Sequence, residues 1–265
     1  MTAPDISFVI LEYFSLEELK KCISSLRKSA GSLGYEIVVS SNSVYDRNKQ
    51  EVIIKDFDDV KWVFNEKNGG FAYGMNCGMD RANGRYLAIV NSDSSLITGL
   101  AEMISFMDEH EEVGVIGPQI VDNDGLLQDS CRPYLNVPRF LRRQLKRVIL
   151  RDKNLYEKNF DYSRVQSVDW VIGAFLVARR QAYKLTNGFD PEYFMYAEDL
   201  DWCTRIREKG FEIIYFPRMK VLYRGTRYAR SLNKYTWMFI RSHVRYWKKF
   251  GFFSGYPERM RTREY

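Results

Sequence analysis

Residues Asn65 to Asp93, NEKNGGFAYGMNCGMDRANGRYLAIVNSD, constrain the fold more than any other stretch of the chain. A Gly-rich turn, Asn68-Gly69-Gly70-Phe71, opens a helix expected to run to about Asn83. Gly84 follows, a residue type that favours the left-handed end of a helix. Tyr86 to Val90 then reads as a short apolar strand that runs out in Asn91-Ser92-Asp93. Such a polar triplet sits at the carboxyl edge of a parallel sheet, outside which open α/β sheets bind ligands. A Gly-rich turn at a helix start offers N–H groups to an anion. A carboxylate at a strand end can hold a hard divalent cation that bridges phosphates. Each feature alone is common; their order and close spacing suggest a nucleotide diphosphate with a metal ion.

The rest of the chain repeats the strand–helix alternation of a doubly wound sheet. Ile6 to Leu11 is a continuous apolar run, as in a strand buried on both faces. Ser15 and Glu18 have capping-box spacing before an apolar stripe of Leu16, Leu19, Ile23 and Leu26. Tyr35 to Val39 is a second strand, ending in Ser40-Ser41-Asn42-Ser43, and Lys61 to Phe64 a third. Thr98 is placed to cap a helix reaching about Glu112, and Val113 to Ile116 is another strand. Val168 to Ala178 returns to apolar strand, and Phe211 to Phe216 reads as a last one stopped by Pro217. Between them lies a helix ending at Gly210, whose first turn crowds Glu198, Asp199 and Asp201. Acids at a helix start can simply complement its dipole. The aromatic Phe194-Met195-Tyr196 just before them fits equally well with a walled, partly desolvated site.

Charge is unevenly spread. The 265 residues carry a net +6, but residues 132–160 hold nine Lys/Arg against two acids and residues 218–265 hold thirteen against two. These two basic segments are expected to meet something negative. The first mixes Phe140, Leu141, Leu145, Ile149 and Leu150 with its cations at helical spacing. That pattern suits either a helix lying on an anionic membrane surface or a solvated helix packed on the domain. A second helix, from about Leu232 to Phe250, carries Trp237, Phe239, Ile240, Val244 and Trp247 and reads as a lid or a membrane-facing element. No stretch approaches the ~20 apolar residues of a membrane span, and no export signal pattern opens the chain. Cys22, Cys77, Cys131 and Cys203 lack metal-like spacing and suit a reducing, cytoplasmic setting.

The blocks NGGFAYGMNCG, GRYLAIVNSD, GAFLVARR and NGFDPEYFMYAEDLDWCTRIREKG, in that order, resemble bacterial glycosyltransferase family 2, particularly its rhamnosyltransferase-like branch. The likeness covers most of residues 5–250. It implies an α/β fold of the GT-A type, with a Rossmann-like, mostly parallel central sheet flanked by helices and a C-terminal helical extension. Residues 1–130 would be the nucleotide-sugar-binding half. Residues 131–230, with the basic segment 132–160, would form the acceptor and catalytic half, and 231–265 a basic amphipathic helical region. The resemblance implies inverting transfer, with Mg or Mn as cofactor. Asp93 falls on the metal ligand; Asn91 and Ser92 complete that motif. Asn68, Gly69, Gly70 and Asn76 fall on the donor-side loop and helix, and Gly173 and Ala174 on small residues lining the sugar pocket. Asp199 falls on the catalytic base, with Glu198 and Asp201 as supporting acids and Arg205 following them.

Two positions depart from the family pattern. After the second strand the family usually carries Asp-Asn and then Ser, the Asp meeting the nucleobase; here Ser40-Ser41-Asn42-Ser43 stands, with Ser40 and Asn42 as donor-side candidates. After the last strand the family usually has a metal-binding His, where this chain has Tyr223 followed by Arg224, Arg227 and Arg230. One of these three arginines, with Arg224 as the donor-side candidate, is expected to neutralise part of the charge of the leaving diphosphate. The expected reaction moves a sugar, rhamnose or a related hexose, from a dTDP or UDP donor to a hydroxyl of a glycan or lipid-linked acceptor. The expected location is the cytoplasmic face of an anionic membrane. The alternatives are a non-catalytic nucleotide- or carbohydrate-binding partner of another transferase, and a nucleic-acid binder. The latter accounts for the charge but leaves the acids at Glu198 to Asp201 unexplained.

Overall fold

The computed structural model describes residues 3–149, 160–223 and 234–253. In chain order the elements are β1 (Ile6–Glu12), α1 (Leu16–Ala30), β2 (Tyr35–Ser41), α2 (Arg47–Asp56), β3 (Lys61–Phe64), α3 (Gly70–Met79), β4 (Tyr86–Asn91) and β5 (Ser94–Leu96). They continue with α4 (Ala101–Glu109), β6 (Val113–Val121), β7 (Cys131–Arg132), α5 (Val137–Ile149), β8 (Gln166–Ser167), β9 (Trp170–Val171) and β10 (Phe175–Arg179). The last are α6 (Arg180–Thr186), α7 (Glu198–Glu208), β11 (Glu212–Tyr223) and α8 (Lys234–Phe250).

One mixed sheet runs β3-β2-β1-β4-β10-β6-β11-β5, with β8 added beside β11. The first four strands are parallel. Alternate residues feed opposite layers, as the twofold period of a strand requires. Tyr86, Ala88 and Val90 enter the core that holds α1 and α4. Leu87 and Ile89 enter the core that holds α3, α7 and α8. Helix α3 sits low on β1 because it carries no bulk there. A Cβ on Gly78 would stand 2.6 Å from Val9, and one on Gly74 would run into Leu11.

At the centre, β10 pairs antiparallel with both β4 and β6. Phe175 therefore lies opposite Val90, and the start of β10 reaches the edge where β4 ends. β11 runs parallel to β6, and its last residue, Tyr223, is paired with Ser94. Three separate segments thus converge on one edge of the sheet.

Several local expectations are corrected. Helix α3 stops at Met79, with Asp80 as its C-cap in right-handed geometry. Gly84 has another role: its N–H donates to Ser7 Oγ at 2.7 Å, and a Cβ there would meet the β1 backbone. The capping box is not formed, because Ser15 makes no side-chain cap bond and its hydroxyl goes to Ser92 Oγ at 2.8 Å. Helix α4 starts only at Ala101, while Thr98 Oγ1 accepts from the Lys220 amide at 2.8 Å. Residues 168–178 are not one strand but split into β9 and β10 around Gly173. β11 continues through Pro217, whose missing N–H is absorbed by a register shift between Phe216 and Lys220.

Candidate active site

Asn91 ends β4, Ser92 and Asp93 form the turn after it, and the dipeptide Gly173-Ala174 stands against this triplet. Ala174 C=O accepts from the Asn91 amide at 3.0 Å and from Ser94 Oγ at 3.1 Å. Its neighbour Gly173 donates its N–H to Asp199 Oδ2 at 2.9 Å. Two adjacent residues therefore tie down both acidic motifs, although these lie about a hundred positions apart in sequence. Tyr223 completes the group. Its hydroxyl accepts from Asn91 Nδ2 at 3.3 Å. Burial, then the charge of Asp93 and that of Asp199, push its phenol upward, so it stays neutral.

Asp199 opens α7 with both carboxylate oxygens engaged, since Oδ1 accepts from the Leu200 amide at 2.8 Å. Burial raises its carboxyl, opposed by those amides and by the charge of Arg132. Glu198, 7% exposed, is pushed well above the usual carboxylate range, first by burial and then by the charge of Asp199. Its Oε2 has no hydrogen-bond partner among the described residues. The pair is unequal: Asp199, with two N–H donors on its carboxylate, is the member better placed to carry charge, and Glu198, with Oε2 unpartnered, the one better placed to hold a proton.

The backbone leading into α7 is strained. Tyr196 and Ala197 have φ of 71° and 61°, a left-handed conformation that costs non-glycine residues about 1–3 kcal/mol each. Contacts from two sides hold it. Ser242 Oγ of α8 donates to Met195 C=O at 2.8 Å, and the Tyr196 ring packs edge-on against Phe239 at 5.5 Å. From the other side, the Phe71 amide donates to Phe194 C=O at 2.7 Å.

That last bond revises the Gly-turn expectation. Gly70 adopts φ +88°, and a Cβ there would collide with the Phe194 backbone. Its N–H donates to Asn68 Oδ1 at 3.0 Å. The first amides of α3 are thus spent inside the protein rather than offered to an anion. The turn, with Gly69 packed against the Tyr73 ring, instead clamps the loop before the acidic pair.

Other sequence candidates are engaged within the protein. Ser40 and Asn42 are buried and receive Asn65 Nδ2 at 2.8 and 2.9 Å. Asn76 is bonded through both side-chain atoms to the Phe189 backbone, at 2.7 and 2.9 Å. Asp201 is fully buried between Arg205 Nε at 2.6 Å and Lys249 Nζ at 2.7 Å, and so ties α8 to α7. Arg205 spends its remaining nitrogens on Thr186 and Gly188 carbonyls, at 2.6 and 2.7 Å. Arg224, Arg227 and Arg230 lie outside the described residues. Two residues were missed by sequence reading. Arg132, stacked over Trp170 at 5.1 Å, bears on Asp199 but was hidden in a basic run. Glu12 closes the first apolar run, and its charge at a strand end was the available signal.

No group of three or more His, Cys, Asp or Glu side chains placed to hold a metal occurs among the described residues. Asp93, just past the end of β4, is the one carboxylate of the Asn91-Ser92-Asp93 motif that could contribute to holding a cation, and Mg is commonly bound by one or two carboxylates together with substrate phosphates.

A sheet of this order, with its strand ends gathered at one cleft, is the GT-A architecture of nucleotide-sugar transferases. Similar folds include GalNAc-T7 solved with UDP, GalNAc and Mn2+, with a TM-score of 0.68 and 16% identity over 93% of this chain and 48% of that one. Residues 7–183 match the model of glycosyl transferase family 2, and the chain belongs to that family. Among curated relatives, the N-acetylglucosaminyl-diphospho-decaprenol L-rhamnosyltransferase of Mycobacterium tuberculosis is 32% identical over 116 residues, which is 42% of this chain. The rhamnosyltransferase WbbL of Escherichia coli K12 is 37% identical over 67 residues, or 25% of this chain. These matches span 37% and 24% of the relatives' own lengths.

Proposed function

We propose that the protein is an inverting glycosyltransferase that moves rhamnose, or a related hexose, from a dTDP or UDP donor to a hydroxyl of a lipid-linked glycan precursor. The observation that carries this reading is the Gly173-Ala174 dipeptide, which anchors Asp199 on one side and the Asn91-Asp93 turn on the other. Asp199 takes the proton of the acceptor hydroxyl as that oxygen attacks the anomeric carbon. The nucleoside diphosphate leaves from the opposite face. Protonated Glu198 beside Asp199 adds no second negative charge to the cleft. A divalent cation, held by Asp93 and the donor phosphates, would supply positive charge against the leaving group. Family membership and the names of the two rhamnosyltransferase relatives support the sugar; the printed acceptor of the mycobacterial relative supports a lipid-linked one.

The lipid-linked acceptor agrees with a surface formed by α5 and α8. Phe140 of α5 packs against Phe239 and Trp247 at 5.8 and 5.1 Å, so one face of each helix is docked. Leu141, Leu145, Trp237 and Phe253 remain 59–76% exposed, and Arg142 of α5 and Arg241 and Lys248 of α8 are exposed as well. Aromatic and aliphatic side chains set among cations suit the interface of an anionic leaflet. No helix among the described residues is long and apolar enough to cross a membrane. Incubation with dTDP-rhamnose, UDP-sugars and GDP-sugars, each with a polyprenyl-diphosphate-linked sugar acceptor, tests the reading. Transfer from dTDP-rhamnose is expected. Nucleotide binding without transfer to any acceptor would leave a non-catalytic binding protein instead.

A further inference from the structure

Glu12 ends β1 with its side chain fully buried. The sheet order makes that position informative. The chain builds β2 and β3 on one side of β1 and then returns to place β4 on the other. The crevice of this switch point opens at the ends of β1 and β4, where open α/β sheets receive ligands. Glu12 is the last residue of β1, and Asn91 the last of β4, with Ser92 and Asp93 following it.

The Glu12 carboxylate accepts four hydrogen bonds. Oε2 takes Ser41 Oγ at 2.5 Å and Ser43 Oγ at 2.9 Å. Oε1 takes the Ser15 amide at 2.9 Å and the Tyr45 hydroxyl at 3.1 Å. All four donors are neutral. Burying a carboxylate among neutral donors is expensive, and neutral side chains could stitch two strand ends together at lower cost. The charge has a directional effect that they would lack. It commits all three hydroxyls as donors towards itself, and so fixes both loops at once.

The consequences reach both ends of the crevice. Ser43 Oγ also accepts the Phe14 amide at 2.6 Å, holding Phe14 at φ 50° with its ring 68% exposed beside Tyr13 and Tyr45. Ser15, whose amide Glu12 holds, places its hydroxyl 2.8 Å from Ser92 Oγ, between Asn91 and Asp93. One connected network therefore runs from the loop after β2, through Glu12, to the turn that carries Asp93.

We propose that Glu12 is a positioning residue for the nucleoside diphosphate. Its buried carboxylate locks the loops after β1 and β2 into the shape that receives the nucleoside, and couples that shape to the Asn91-Ser92-Asp93 turn through Ser15. The strand register pairs Glu12 with Ser41, the position where the family resemblance leads one to expect a carboxylate. This inference rests on the reading of the protein as a nucleotide-sugar transferase.

Calorimetric titration with dTDP and UDP, together with donor and acceptor kinetics, tests it on wild type, Glu12→Gln, Tyr45→Phe and Glu12→Gln/Ser41→Asp. Glutamine keeps the shape and removes the charge. It should weaken nucleotide binding and raise the donor KM about tenfold or more, leaving kcat and the acceptor KM nearly unchanged. Tyr45→Phe should shift the same quantities in the same direction, by less. The double variant, which returns a carboxylate to the network from β2, should recover most of the affinity. Unchanged nucleotide affinity in folded Glu12→Gln overturns the inference, as does a loss confined to kcat or a double variant with no recovery. Should Glu12→Gln not fold, unchanged affinity in Tyr45→Phe overturns it. These outcomes leave the transferase reading standing; a wild type that binds no nucleotide overturns both.

Discussion

Replacing Asp199 with asparagine removes the proposed base and keeps its shape. Both oxygens are engaged, one by the Gly173 amide at 2.9 Å and the other by the Leu200 amide at 2.8 Å. Asparagine has a single acceptor oxygen, so its NH2 must face one of these N–H groups. One backbone donor loses its partner, at a cost of about 1–3 kcal/mol. Part of that is offset, because a carboxyl that burial holds above its usual range is no longer buried there. The chemical loss is larger. A positioned base contributes about 10²- to 10⁴-fold in rate, equivalent to about 3–5 kcal/mol of barrier. Asp199→Asn should therefore fold with a modest drop in Tm, bind nucleotide like the wild type, and lose at least ~10²-fold in kcat. Initial rates with saturating donor, with calorimetry on the same preparation, measure both. The pH profile gives a second signature. Wild-type activity should fall as pH drops through the raised carboxyl value, because the base becomes protonated; the residual activity of the variant should lack that limb. A variant keeping more than about a tenth of wild-type kcat would refute the assignment, and so would an unchanged acid limb.

Three further predictions follow from the same geometry. Glu198 has its carboxyl raised above the ordinary 4.5, so between that value and its folded value the folded protein keeps a proton the unfolded chain has released. Stability should fall as pH rises through this window, and Glu198→Gln should flatten the dependence in urea-unfolding midpoints; an identical slope in the variant sinks the protonation assignment. Asp201→Ala leaves Arg205 and Lys249 facing each other without their shared carboxylate, and should destabilise the protein by about 3 kcal/mol, since Lys249 is partly exposed. Denaturant titration measures it, and a change below about 1 kcal/mol would mean that solvent screens the cluster. The protein should float with anionic vesicles but not neutral ones, each nearby Lys or Arg contributing about 1 kcal/mol. Trp237→Ala/Phe253→Ala should reduce the floated fraction; equal flotation on neutral lipid contradicts the charged-surface account.

Much of this arrangement was readable in the chain because its signals are local. A continuous apolar run ending in Asn-Ser-Asp is a buried strand reaching an edge, and β4 delivers those residues there. The three acids before an apolar helical stripe open α7. What the sequence concealed depends on partners distant in the chain. Thr98 looks like a helix cap until Lys220 claims its hydroxyl, and Ser15 until Ser92 does. Pro217 looks like a strand end because its missing N–H matters only where a bulge does not accommodate it. The Gly-turn amides seem available until Phe194 arrives from a segment more than a hundred residues away. Glu12 was passed over because a single acid after an apolar run says nothing of the serines and tyrosine that later surround it. In the same way, the family resemblance, and not the local sequence, separates Asp199 from Asp201; helical geometry points Asp201 into the Arg205–Lys249 cluster and Asp199 at Gly173.

We infer that the acid just after β4 and the acid in the first turn of α7 serve one site across Gly173-Ala174. A crystal structure with an uncleaved nucleotide-sugar analogue and Mn tests it most directly. The diphosphate should lie beside Asp93, with the anomeric carbon facing the Asp199 carboxylate. A donor seated elsewhere, or with its anomeric carbon turned away from Asp199, would contradict it.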